Sequence, residues 1–242
     1  MKVAQLLTIA DLIFQDLGVL IRQARAPTGG PERVQMSLIL TISEQYEAVL
    51  ILAKAHMITH SASHARSMIE ALIAIKMLEI DSDYINKMRY ENLKGQKKFY
   101  EGLFANPDAP EEIKEQLCEG YSKCKSDFSV LHAEGYRPKK ISDDFAATKL
   151  WNFLGPYSIL CAFSHNDLSV LGHRHQTDEG MVFKQVNSAD IVLSIISSSV
   201  NVVIQAAGQL AEVAKFTSED FSEIFERMNM NWRAILSGSV EN

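Results

Sequence analysis

Arg66 and Glu70 stand one helical turn apart in the stretch Ser61 to Leu78 (SASHARSMIEALIAIKML), whose other positions are mostly apolar. A second stretch, Tyr157 to His165 (YSILCAFSH), repeats the four-residue step with Tyr157, Cys161 and His165. If these two core helices face each other, a guanidinium, a carboxylate, a phenol and an imidazole converge. An imidazole moves protons near neutral pH and a guanidinium holds developing negative charge, so the types suit proton transfer with charge stabilisation. They equally suit a bland role, because an Arg/Glu pair one turn apart can satisfy two charges that tie helices together. His165 is followed by Asn166 and Asp167 at a polar helix end, where a core histidine and a functional one look alike. No motif here fixes a substrate.

The elements that must carry these residues are helical. Apolar residues recur at three- and four-residue steps, glycine and proline are confined to a few breaks, and no alternating strand is found. The pattern predicts an all-α chain, a single helical-bundle domain over 1–242 with roughly eight to ten helices and no sheet. Its parts are an N-terminal helix and loop over 1–31, a core over 32–173 and a C-terminal helical pair over 188–237.

The first helix, from Val3 to Arg25, stops at Ala26-Pro27-Thr28-Gly29-Gly30-Pro31. A long second helix weakens at Met57 to Ser63, where Thr59, Ser61 and Ser63 are N-cap candidates for the Arg66 helix. Helices are expected from Tyr84 to Phe104 and from Pro110 to His132, then an exposed loop from Ala133 to Ser142, then a helical region holding Trp151. Pro156 falls in the first turn of the helix that carries Tyr157 and His165. Gly172 to Asn187 is the longest candidate loop of the second half and a candidate lid. Thr217-Ser218-Glu219-Asp220 is expected to cap a last amphipathic helix through Trp232.

A chain of 242 residues with 47% hydrophobic content buries a full core, and a net charge of −6 leaves no global basic field for nonspecific nucleic-acid binding. Asp11 and Asp16 interrupt the N-terminal apolar run, which argues against a signal peptide and for a cytoplasmic location. Cys118, Cys124 and Cys161 are an odd count without a CxxC pair, hence reduced packing thiols. Ile191 to Ala211 is uncharged and as long as a bilayer span, but its serines, Asn201, Gln205 and Gln209 make it a central core helix, so no membrane partner is expected.

His56, His60 and His64 follow an i, i+4, i+8 pattern that on one continuous helix would align three imidazoles for zinc or iron, with Glu44, Glu47 or the His173-Arg174-His175 segment as a further ligand. The break near Met57 disrupts that alignment and no HExxH spacing occurs, so the expectation is turn histidines, no metal and no cofactor. Arg137, Lys139 and Lys140 beside Tyr136 are candidates to contact phosphate while a base stacks on the ring, and a solvated loop explains them as well. Glycine-rich phosphate loops, nucleophile elbows and dinucleotide fingerprints do not occur, which leaves hydrolysis or acyl transfer by those routes without support.

The run ASHARSMIEALIAIKMLEIDSDYINKMRYE resembles the central signature of the bacterial family catalogued as domain of unknown function 5677, in which an R-x-x-x-E element, here Arg66 and Glu70, opens a buried helix. A later Y-x-x-L/S-x-x-x-x-H element is similar to Tyr157 to His165, and the resemblance spans roughly Glu44 to His173. That family is distantly similar to the HEPN superfamily of helical-bundle domains, many of them metal-independent ribonucleases of toxin and phage-defence systems. The resemblance implies RNA as a partner and a homodimer as the working form. HEPN nucleases place an arginine four to six residues before the histidine, and no arginine precedes His165 at that distance. Arg66 then supplies the cation from another helix: His165 is the base on a ribose 2′-hydroxyl, Arg66 stabilises the phosphorane and Glu70 orients Arg66. Tyr157, Asn166, Arg137, Lys139 and Lys140 are the candidate substrate contacts. The competing class is a non-enzymatic helical protein that binds a small ligand or a protein partner and keeps Arg66 and Glu70 as a structural pair. A metal-binding helical protein stands third.

Overall fold

The structure, a computed structural model, describes residues 3–165, 167–183, 187–216 and 219–237. Ten α-helices, two 3₁₀ turns and one two-stranded ladder make up the regular structure of the described residues, as the all-α reading requires, with the ladder as an addition. The chain divides into two compact units, one formed by Met1–Lys76 with Thr148–Asn242 and the other by Met77–Ala147.

The first unit begins with α1 (Val3–Gln23), whose buried Leu6, Ala10, Ile13, Leu17 and Leu20 recur at three- and four-residue steps and form one apolar face. That face packs on α2 (Gly30–Lys54), α9 (Ala189–Val213) and α10 (Glu219–Ser237). Pro31 sits in the first turn of α2, where its missing N–H costs nothing, and the Gly29-Gly30 pair supplies the turn into it. Tyr46 of α2 donates to the Ala10 carbonyl at 3.0 Å, and Asp16, 8% exposed, accepts Arg227 of α10 through Nε and through Nη2 at 2.6 Å.

The central helix is α9, which touches α1, α2, α7 (Leu154–Ser164) and α10. By length and composition α1, α2 and α9 are each apolar enough to cross a membrane. In the bundle the serines of α9 are satisfied on the preceding turn, Ser198 Oγ donating to the Ser194 carbonyl and Ser199 Oγ to the Ile195 carbonyl, both at 2.8 Å. Ser188 caps the helix, its Oγ accepting from the Ile191 N–H.

The end of α2 is a complete Schellman motif. The His56 N–H reaches the Ala53 carbonyl at 3.1 Å and the Met57 N–H reaches the Leu52 carbonyl at 2.7 Å, with His56 in the left-handed region at φ 58°. A 3₁₀ turn, Ile58–Ser61, follows and leads into α3 (Ala62–Ile80), within which the division between units falls. Gln35 of α2 donates to the Ile75 carbonyl at 3.0 Å, and His64 pairs with Gln45 Oε1.

The second unit holds α4 (Tyr84–Ala105), α5 (Glu111–Ala133) and α6 (Ile141–Thr148, of which Thr148 belongs to the first unit). Tyr90, Leu93, Cys124 and Leu131 form its apolar core, with Phe128 stacked on Tyr90 at 4.9 Å between ring centroids. Cys124 and the partly buried Cys161 are free thiols, as is the exposed Cys118. The α5 terminus repeats the hydrogen bonds seen at the end of α2, Gly135 N–H to the His132 carbonyl and Tyr136 N–H to the Leu131 carbonyl, with Gly135 at φ 99°.

Two expectations need correction. Gly172 to Asn187 is not one long loop: α8 (Leu168–His175) runs through Gly172 and is followed by β1 (Gln176–Thr177) and β2 (Gly180–Met181), paired antiparallel with Gln176 opposite Met181. A single interior glycine costs a helix only about 1 kcal/mol, and burial of Val170 and Arg174 on the same helix offsets it. The ladder then forms because Gly180, at φ 127°, closes a tight turn in which Thr177 Oγ1 donates to the Gly180 carbonyl. Trp151, expected in a helix, opens a 3₁₀ turn (Trp151–Phe153) after α6 has ended. Thr217 and Ser218 of the expected α10 cap lie outside the described residues, and α10 extends beyond Trp232 to Ser237.

Candidate functional site

Helix α3 is apolar on nearly every face, so its two ionised side chains near the start are conspicuous. Ala65, Met68, Ile69 and Leu72 are buried around them, whereas Arg66 and Glu70 keep 28% and 37% of their side-chain surface. Arg66 Nε and Nη2 both reach Glu70 Oε1, at 3.1 and 3.0 Å. Helix α7 supplies the partners. Tyr157, 9% exposed, donates its hydroxyl to the same Glu70 oxygen at 2.7 Å, and its ring lies 5.6 Å from the Arg66 guanidinium carbon. His165 caps α7 through its N–H to the Cys161 carbonyl and presents an exposed ring, whose Nε2 lies 3.5 Å from Arg66 Nη1. The four groups named from the four-residue steps therefore meet.

Their electrostatics follow from partial burial. Desolvation pulls the Arg66 pKa down, but hydrogen bonding with Tyr157 and the Glu70 charge outweigh it and the net shift is upward. Desolvation, then the hydrogen bond to Glu70, push the Tyr157 phenol well above its ordinary value. Guanidinium has donors only, so in a hydrogen bond across this 3.5 Å contact Arg66 Nη1 donates and His165 Nε2 accepts.

The remaining candidates are described by themselves. Asn166 lies outside the described residues. Arg137, Lys139 and Lys140 belong to the second unit, where they line a mixed-charge cavity of about 480 Å³ together with Asp83, Asp143 and Asp144. Arg137 donates to the His132 and Tyr136 carbonyls at 2.9 and 2.7 Å. Lys139 Nζ reaches the Tyr84 hydroxyl at 3.3 Å and lies 3.9 Å from Asp144, so two of the three cations already have partners within the unit. Tyr136 is likewise tied, donating to the Asp83 carboxylate.

The helix break after Lys54 sends the three histidines apart, His56 to the left-handed turn, His60 to the 3₁₀ turn and His64 to α3. Among the described residues no three His, Cys, Asp or Glu side chains come together as a metal-ligand set. Sequence reasoning missed Arg174, which it left in a loop. This residue is 8% exposed and donates through Nε to Thr59 Oγ1 and through Nη2 to the carbonyls of Thr59 and Phe163, joining the 3₁₀ turn to the last turn of α7 two residues before His165. The only sequence signal was its place between two histidines.

No curated protein and no solved structure matches the chain. The model of one family, described as a family of unknown function (DUF5677), matches residues 32–182, a stretch that contains Arg66, Glu70, Tyr157 and His165. That match spans more than half of the 242 residues, and the chain belongs to this family of unknown function, DUF5677.

Proposed function

We propose that the Arg66–His165 edge is the active centre of a cytoplasmic, metal-independent ribonuclease of bacterial defence or toxin type, HEPN-like in mechanism and working as a homodimer. The observation that carries this reading is the approach of Arg66 Nη1 to His165 Nε2, 3.5 Å apart on two different helices at a partly exposed surface. In the reaction, His165 Nε2 takes the proton of a ribose 2′-hydroxyl and that oxygen attacks the adjacent phosphorus. The bond to the 5′ oxygen breaks, solvent protonates the leaving oxygen, and the products are a 2′,3′-cyclic phosphate and a 5′-hydroxyl. Arg66 stabilises the charge on the phosphorane, held in orientation by Glu70 and Tyr157.

The double contact of Arg66 with one Glu70 oxygen, closed by Tyr157, favours a second reading, in which the cluster is a structural tie between α3 and α7 of a ligand- or partner-binding protein. Cleavage of a mixed RNA pool by the wild type and by His165→Ala and Arg66→Ala, with melting curves for each, separates the two. The ribonuclease reading expects wild-type cleavage that falls by at least about 100-fold in folded variants. Absence of wild-type cleavage with early-melting variants supports the tie.

A further inference from the structure

The cavity of the second unit, about 480 Å³, falls in the roughly 300 to 1,000 Å³ range of small-molecule sites, and all of its lining residues lie between Asp83 and Asp144. Its wall is held in place from α4 and the turn before it. The Tyr136 hydroxyl lies 2.9 and 2.8 Å from the two Asp83 oxygens and donates to that carboxylate. The Lys139 N–H donates to Glu91 Oε1 at 2.8 Å, and Lys139 Nζ donates to the Tyr84 hydroxyl at 3.3 Å. These ties fix the segment from Tyr136 to Lys139, so a ligand does not have to order it.

Cations and carboxylates line the cavity in equal number. Some of these charges are already answered. Lys87 pairs with Asp81 at 3.1 Å, and Asp144 accepts the Tyr84 hydroxyl at 2.7 Å beside Lys139. Asn86 and Tyr136 donate to Asp83 and hold its pKa below the ordinary 3.8. The positive Arg137 and Lys140 and the negative Glu134 and Asp143 differ: among the described residues no ion pair includes any of them. Arg137 is anchored through one nitrogen, Nη1, on the His132 and Tyr136 carbonyls. Its Nε–Nη2 edge, whose parallel N–H bonds match a carboxylate, has no partner among the described residues. A simple anion at this wall would meet Glu134 and Asp143, and a simple cation would meet Arg137 and Lys140, whereas a molecule with both charges answers both sets. We propose that the cavity binds a zwitterion of the amino-acid class, its carboxylate on Arg137 and Lys140 and its ammonium group on Glu134 and Asp143. The proposal is independent of the ribonuclease reading, since it uses none of Arg66, Glu70, Tyr157 or His165.

Thermal-shift screening of the full chain against each of the common amino acids, followed by calorimetric titration of the one that raises the melting temperature most, tests it. That amino acid is expected to bind once per chain. Its amide, which lacks the carboxylate, its N-acetyl form, which lacks the ammonium group, and inorganic phosphate are each expected to bind at least about tenfold more weakly, a difference of about 1.4 kcal/mol. Glu134→Gln and Lys140→Gln remove charges that no ion pair uses, so both variants are expected to melt with the wild type and to bind the amino acid about fivefold or more weakly. Absence of a shift with every amino acid, equal affinity for the amide, the N-acetyl form or phosphate, or unchanged affinity in both variants overturns the proposal.

Discussion

The Tyr157 hydroxyl donates to Glu70 Oε1 at 2.7 Å, the same oxygen that accepts Arg66 Nε at 3.1 Å. One carboxylate oxygen thereby fixes a phenol from α7 and a guanidinium from α3, and the angle at which Arg66 faces His165 depends on both. Tyr157→Phe keeps the ring beneath the guanidinium and removes only the hydroxyl. Because Glu70 is partly exposed, the loss expected by urea denaturation is about 1 kcal/mol, below the range for fully buried bonds to charged groups. Loss of RNA cleavage beyond that small destabilisation would mark Tyr157 as a positioning residue.

Asp16 and Arg227 join the first helix to the last across nearly the whole sequence. Asp16→Asn keeps the shape and removes the charge that receives Arg227 Nε and Nη2. Arg227 remains 46% exposed at its side chain, so water compensates part of the loss, and about 1 to 2 kcal/mol is expected. A melting temperature equal to that of the wild type would show that the pair does not hold α10 to α1.

Alkaline pH should unfold the protein through its phenols. Burial raises the Tyr46, Tyr84 and Tyr157 pKa values above the ordinary 10.0, helped at Tyr84 by the hydrogen bond to Asp144 and at Tyr157 by that to Glu70. Their stabilisation is complete below the unfolded-state value and is lost as pH rises above 10, because the unfolded chain releases those protons first. A tyrosinate absorbance titration should show Tyr46, Tyr84 and Tyr157 ionising only together with loss of circular dichroism. Smooth, independent titration of all seven tyrosines would contradict this.

On the acid side His60 sets a milder limit. Its pKa is lowered from 6.5, by desolvation first and then by Arg174 and His175. The unfolded state therefore binds the proton more readily, and stability declines as pH falls through 6.5 until the folded-state value is passed. Melting curves at pH 7.5 and 5.5 should converge in His60→Gln relative to wild type.

The polar quartet of the first unit was legible in the sequence because its members follow the helical period within each stretch, Arg66 to Glu70 and Tyr157 to His165. Helix α9 was legible for a related reason, its serines being too polar for lipid and well placed to bond the preceding turn. The Arg174 cavity was not, since it joins His56, Met57, Thr59 and His60 to Arg174 and His175 through the fold and no local spacing links them. Gly172 misled the reading of α8, where burial of Val170 and Arg174 outweighs the helix cost of one glycine. Asp16 drew notice only as a break in an apolar run, and its partner Arg227 lies at the other end of the chain.

Because the first unit is assembled from two separated stretches, its completion is tied to the pace of translation. Helices α1 and α2 leave the ribosome early, yet α9, on which both pack, begins only at Ala189, after residues 55–188 have been made. At about 5 to 20 residues per second this delay is on the order of ten seconds. Throughout it, the Leu6–Leu20 face of α1 and the inner face of α2 have each other but not their main partner. Helices α4 and α5 are sequence neighbours and pair as soon as both have emerged. The nascent chain thus carries a finished second unit while the apolar pair of the first is still incomplete, the state in which a holding chaperone has most to cover.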